Sequence, residues 1–262
     1  MFAPGRPCVI HVAAASAGVG RTTVAVNLAV ALARSGRDTL LIEATRQAHE
    51  ARAFAYLGLE LPAGGMPAPG PAFGVPAVDG LALWPLALTQ RAAGADPAIA
   101  IPDRLPGRSR MPDCVLVNSA SGRALVWGGE HERQEVLIVL SRAPASITDA
   151  YALIKRLSAR GMQSRFHVLV NRVASQAESE RIFGNMAAVA QGYLDVELRL
   201  SGFIPADEAL AHAAARGTSV LDLEPDAPAA QAFRRLAQSF SAPGAQAPGR
   251  TAASSRPQLA AL

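Results

Sequence analysis

The sequence predicts an α/β fold, a mostly parallel sheet with helices on both faces. Short β-branched runs alternate with longer stretches whose apolar residues recur at helical spacing. Several strand-like runs, such as Val136–Leu140, are apolar throughout, as parallel strands covered on both faces are. Half of the 262 residues are hydrophobic, ample for one core. A single domain over residues 1–240 is the expectation.

The elements follow in order. Cys8–Ala14 reads as the first strand, followed by a glycine-bearing turn. A helix runs from about Thr22 to Ser35, with Val24, Leu28, Ala31 and Leu32 on one face and Gly36 just past its end. Thr39–Glu43 is the second strand. Residues 61–80 hold five prolines and five glycines and read as a loop. Further strands are expected at Leu81–Pro85, Cys114–Val117, Val136–Leu140, Phe166–Val170 and Leu198–Ile204. Asn118 to Glu135 is a polar, glycine-rich connection. Ser146–Arg160 is an amphipathic helix with Ile147, Tyr151, Ile154 and Leu157 inward and Gly161 at its end. Glu178–Tyr193 and Ala227–Phe240 complete the helices, the last with Phe233, Leu236 and Phe240 inward. Residues 241–262 are Ala, Gly, Pro, Ser and Gln without apolar period, the composition of a disordered tail.

Composition narrows the function classes. No apolar run approaches the ~20 residues that span a bilayer. Met1–Pro7 lacks the features of a signal peptide, so a cytoplasmic protein is expected. Cys8 and Cys114 fall in strand-like runs and read as buried free thiols. The five histidines form no ligand-spaced cluster. Lys155 is the sole lysine among 25 basic residues, and the net charge is only +4. The arginines are scattered without an aromatic-interleaved stripe, so nucleic acid is not an expected partner.

Chemistry concentrates in Ala15-Ser16-Ala17-Gly18-Val19-Gly20-Arg21-Thr22-Thr23, between the first strand and first helix. A turn there aims backbone N–H groups and the positive end of the helix dipole at one spot, which suits a phosphate. Glycines let the anion approach closely. The run resembles the deviant Walker A loop of the MinD/ParA family of P-loop NTPases, which reads Gly-Lys-Gly-Gly-Val-Gly-Lys-Thr-Thr. Asn27-Leu28-Ala29 and Leu40-Leu41-Ile42 match the family's following helix and strand. Ala15 and Ala17 replace glycines, Ser16 the signature lysine and Arg21 the phosphate-gripping lysine.

The resemblance, which covers about residues 8–240, implies ATP with Mg²⁺ as cofactor. Gly18, Val19, Gly20, Arg21, Thr22 and Thr23 would bind the phosphates, with Thr22 on the metal. Asn171, Arg172 and Pro205 match positions that bracket the adenine, with Asp207 beside them. Two acidic positions have changed. Glu43-Ala44-Thr45 stands for Asp-Ala-Asp, and Asn118-Ser119-Ala120-Ser121-Gly122 for Asp-Thr-Gly-Ala-Gly. Thr45 cannot orient the attacking water as a carboxylate does, and Asn118 is a weaker magnesium partner. Ser16 is too short to reach a partner's phosphates across a dimer. Weak ATP binding and impaired hydrolysis are therefore expected, because phosphoryl transfer depends on positioning and charge neutralisation. No residue is assigned as catalytic; Glu43 and Asn118 hold the degenerate acidic positions.

The segment Pro144–Lys155 is similar to Pro-Thr-x-Ile-Thr-Asp-Ala-Tyr-Ala-Leu-Ile-Lys of the FlhG/FleN/YlxH branch, the flagellar number regulators. Leu169–Val173, Gly202–Pro205 and Pro228–Arg235 resemble that branch too. The resemblance implies regulation of flagellar assembly, number or placement. The partners would be flagellar regulatory or basal-body proteins, with a second copy of the chain as homodimer. The branch's segment that stimulates the partner GTPase FlhF has no counterpart in the seven residues before the first strand. The resemblance also implies a peripheral place at the inner membrane, although residues 241–262 do not match the family's amphipathic membrane-targeting helix. Two alternatives stay open: a nucleotide-free pseudo-ATPase scaffold, and an active ATPase switch in partition or positioning.

Overall fold

The structure, a computed structural model, describes residues 7–45, 51–61, 75–87, 110–119, 133–159 and 165–241. The N-terminal half holds β1 (Cys8–Ala13), α1 (Arg21–Arg34), β2 (Thr39–Thr45), α2 (Arg52–Tyr56), β3 (Val75–Val78), β4 (Leu81–Ala87) and β5 (Cys114–Ser119). There follow β6 (Arg133–Ser141), α3 (Pro144–Ala159), β7 (Arg165–Val173), α4 (Gln176–Tyr193) and β8 (Glu197–Pro205). The last elements are α5 (Glu208–Ala215), α6 (Val220–Leu223) and α7 (Pro228–Ser241).

The eight strands form one sheet in the order β3-β4-β2-β5-β1-β6-β7-β8, parallel except for the β3–β4 pair. The expected α/β architecture is observed. One face of the sheet packs under α1, α2, α5, α6 and α7. The opposite face packs under α3 and α4. A further cluster around Val9, Ile42, Trp84 and Val115 fills the β2–β5 half of that second face. Cys8 and Cys114 are buried at paired positions of β1 and β5 and are not joined in a disulfide, as expected.

Four details differ from the sequence reading. Residues 75–78, inside the proline- and glycine-rich stretch, form strand β3, because Asp79-Gly80 turns the chain into β4 as a hairpin. Gly80 has φ +81, and Pro76 is tolerated because β3 lies at the sheet edge. Strand β5 continues through Asn118 and Ser119, and β7 through Asn171 to Val173. The buried stripe of α3 is Ser146, Ala150, Leu153, Ile154 and Leu157, with Ile147 and Tyr151 at its margin. Helices α2, α5 and α6 are too short to show a helical period. Residues 62–74, Gly161 and 242–262 lie outside the described residues, and with them the rest of the predicted loop and the tail.

Helix α7 behaves as expected. Phe233, Leu236 and Phe240 are buried in the sheet-facing core, so they present no face to a membrane. Full burial of each such side chain stabilises by about 1.5–3 kcal/mol. Among the described residues, no helix is long and apolar enough to cross a membrane.

Two polar residues fasten the helical layer. Asn27, fully buried on α1, donates from Nδ2 to Thr23 O (2.8 Å) and Tyr56 Oη (3.0 Å). Its Oδ1 accepts the Val220 N–H at 3.0 Å, so one satisfied amide joins α1, α2 and α6. Asp207 caps two helices. Its Oδ1 accepts from Ala209 N (3.0 Å) at the start of α5, and its Oδ2 from Ala229 N (2.9 Å) in the first turn of α7. Asp207→Ala removes both caps. We expect a loss of about 2 kcal/mol, read by urea unfolding with unchanged slope.

Candidate functional site

The connection from β1 to α1 is shaped by two left-handed glycines, Gly18 (φ +75) and Gly20 (φ +90). Gly20 occupies the N-cap of α1 without a side-chain bond, and the first turn holds no acidic residue. Helix α1 therefore presents unbonded N–H groups and positive dipole character, a fit for phosphate oxygens. A side chain at Gly18 would meet no neighbour within 4 Å. One at Gly20 would collide with the Asn171 amide.

Asn171 is what holds this loop. It is buried at the end of β7 and donates from Nδ2 to Val19 O at 2.7 Å. Its Oδ1 accepts the Arg172 N–H at 3.0 Å. The β7–β8 register slips between Asn171 and Val173, leaving exposed Arg172 at φ +60 in a bulge. Pro205 pairs with Val173 on β8. The structure thus gathers the expected loop residues, Asn171, Arg172 and Pro205 at the carboxyl ends of the strands, where open α/β sheets bind ligands.

Beneath the loop, register sets a second contact. Glu43 of β2 and Asn118 of β5 are paired neighbours on parallel strands. Asn118 Nδ2 donates to both Glu43 carboxylate oxygens at 3.1 and 2.9 Å, and contacts Thr22 Oγ1 at 3.3 Å. Arg21 Nε donates to Asn118 Oδ1 at 2.7 Å. The guanidinium lies in the cluster beside Glu43, and burial lowers its pKa, with Glu43 opposing and Arg52 adding to the effect. Burial pushes Glu43 up to about 7, against the Asn118 hydrogen bond, the Arg21 charge, the Ala53 N–H and Arg52.

A phosphate therefore fits the loop. A divalent cation would draw on the Thr22 hydroxyl, the Glu43 carboxylate and the Asn118 amide oxygen, a set with one charged donor. Three contributors escaped the sequence reading. Arg52 and the Ala53 N–H belong to α2, which has no periodic signature. Asp149, on α3, accepts the Ser16 hydroxyl at 2.6 Å. Its Ile-Thr-Asp-Ala segment stands out in the sequence, but only the fold brings it to the loop.

The model of the CobQ/CobB/MinD/ParA nucleotide-binding domain matches residues 10–220. The chain belongs to this family. Antiactivator FleN of Pseudomonas aeruginosa PAO1 is 35% identical over 246 residues, covering 88% of this chain and 85% of FleN. That likeness supports the FlhG/FleN branch. Solved structures share the fold. MinD of Aquifex aeolicus has a TM-score of 0.60 at 24% identity, covering 89% of this chain and 96% of its own. MinD with Mg-ADP from Pyrococcus horikoshii has a TM-score of 0.60 at 18% identity, covering 89% of this chain and 95% of its own. A McdA variant of Cyanothece bound to ATP has a TM-score of 0.63 at 17% identity, covering 93% of this chain and all of its own.

Two outcomes follow for this MinD/ParA-type site. Gly20→Ala combines positive-φ strain with the collision at Asn171, and Asn171→Ala relieves only the collision. The double variant should lose less stability than the two single losses combined, by about 1 kcal/mol or more in an unfolding cycle. Glu43 binds a proton in the folded state that the unfolded carboxyl, near 4.5, has already released. Its burial therefore weakens the fold progressively as pH rises from about 4.5 through 7 and stays unfavourable above that. Glu43→Gln should gain about 1–3 kcal/mol over the parent at pH 8, with the difference closing near pH 5.

Proposed function

We propose that the chain is a nucleotide-responsive regulator of flagellar assembly, number or placement that binds ATP with Mg²⁺ weakly and hydrolyses it poorly. Membership of the MinD/ParA family and the likeness to FleN support the class. The observation that carries the weak-binding reading is the Arg21–Asn118 hydrogen bond. For its guanidinium to face a phosphate, Arg21 must leave Asn118 and the Glu43 charge. A hydrogen bond from a charged group is worth about 1.5–3 kcal/mol, which corresponds to roughly one to two orders of magnitude in affinity.

Each residue then has a task. Gly18, Gly20 and the first turn of α1 cradle the phosphates, and Thr22 with Glu43 holds the metal that neutralises them. Asn171 keeps the loop in its phosphate-ready shape, while Arg172 and Pro205 flank the base. Thr45, at the end of β2, supplies no carboxylate to orient water, so turnover is slow. Ser16 is hydrogen-bonded to Asp149 of its own chain and supplies no charge to a partner's phosphates. Signalling runs through contacts with flagellar regulatory or basal-body proteins, and through a homodimer in which nucleotide contributes less than in lysine-bearing relatives.

The same closed Arg21–Asn118–Glu43 cluster also favours a second reading, a scaffold that has abandoned nucleotide. Calorimetric titration with ATP and ADP in Mg²⁺ separates the two. We expect measurable ATP binding that tightens about tenfold in Arg21→Lys, whose compact ammonium suits the cradle, and disappears in Arg21→Ala. No heat at millimolar ATP would leave the scaffold. Deleting the gene in a motile host should change flagellar number or position, and unchanged flagellation would overturn both.

A further inference from the structure

Away from the phosphate loop, three side chains form a hydrogen-bonded relay across β6, β7 and β8. Ser201 Oγ lies 2.8 Å from His167 Nδ1, and His167 Nε2 lies 2.9 Å from Glu135 Oε2. With Glu135 ionised and the imidazole neutral, Nε2 donates to Glu135 and Nδ1 accepts from the Ser201 hydroxyl. The Phe240 ring of α7 packs on the imidazole at 5.1 Å. All three polar groups lie largely out of solvent, with the His167 and Glu135 side chains only 13% and 8% exposed.

The backbone at Ser201 is irregular. Leu200 pairs with Val168 and Gly202 with Leu169, so Ser201 is the extra residue of a bulge, a device that re-aims a side chain. Gly202 follows at φ +126, and a Cβ there would meet nothing within 4 Å. A cavity of about 380 Å³ opens at this edge, lined by Leu200, Phe203 and Leu236 and, on its polar side, by Ser201, Glu180 and Arg235. Ser179 is fully buried, yet its hydroxyl has no hydrogen-bond partner among the described residues.

We propose that Ser201, His167 and Glu135 form a second reactive site that hydrolyses small esters. Nucleophile–base and base–orienter contacts are the geometric signature of acyl transfer, which arises on unrelated folds. Ser201 Oγ attacks the ester carbonyl and its proton passes to His167 Nδ1. The bond to the leaving alcohol breaks, and His167 returns the proton to that oxygen. Water then attacks the acyl-serine with His167 again as base, releasing the carboxylic acid and restoring Ser201. Glu135 is a positioning residue that fixes the tautomer. None of this requires the nucleotide reading.

The test is covalent labelling of the full chain with an alkyl fluorophosphonate, mapped by mass spectrometry, alongside p-nitrophenyl butyrate hydrolysis. Ser201 should be the labelled residue, and Ser201→Ala should abolish both signals while melting as the parent does. His167→Gln should slow labelling about 100-fold or more. Glu135, Ser201 and the Phe240 ring contact His167, and Arg199 is its paired neighbour on β8, held by Glu197. Glu135→Gln should shift the pH profile of labelling to lower pH, which a purely structural role would not do. A folded parent left unlabelled at Ser201, or ester hydrolysis undiminished in Ser201→Ala, overturns the proposal.

Discussion

The candidate nucleotide site depends on the in-register pairing of β5 with both β1 and β2. That pairing sets Asn118 beside Val12 on one side and Glu43 on the other. Because side chains of paired positions share a face, Asn118 must meet Glu43, and the loop leaving β1 must pass above them. A slip of one residue would turn either side chain to the other face. The network from Arg21 through Asn118 to Glu43 is thus a product of sheet geometry, and the helical layer locks it by tying α1 to α2 and α6 through Asn27.

Charge in that network is unevenly matched. One half-buried guanidinium and one buried carboxylate have a neutral amide between them, and among the described residues no ion pair joins the two. Burial dominates both shifts, in the direction that disfavours charge.

Much of this was legible in the sequence, for reasons that differ by element. The parallel core strands announce themselves as uninterrupted apolar runs, and the phosphate loop by its glycines between a strand and a helix. Strand β3 was hidden because its two valines sit among prolines and glycines, although the Asp79-Gly80 pair is a hairpin signal. Short α2 and α6 carry too few residues to show periodicity. The contacts of Asn171 with Val19 and of Asp149 with Ser16 join residues 152 and 133 positions apart. Only the topology of the sheet can bring these together. The Ser201–His167–Glu135 relay was invisible for the same reason, since its members come from three strands.

Cys8 and Cys114 draw a last consequence from the sheet. They occupy paired positions on β1 and β5 near the middle of the strand order, with relative exposures of 2% and 0%. A thiol reagent cannot reach either while those strands remain closed. Their alkylation rate therefore acts as an intrinsic clock for the rarest, deepest openings of the molecule, blind to fraying at the periphery.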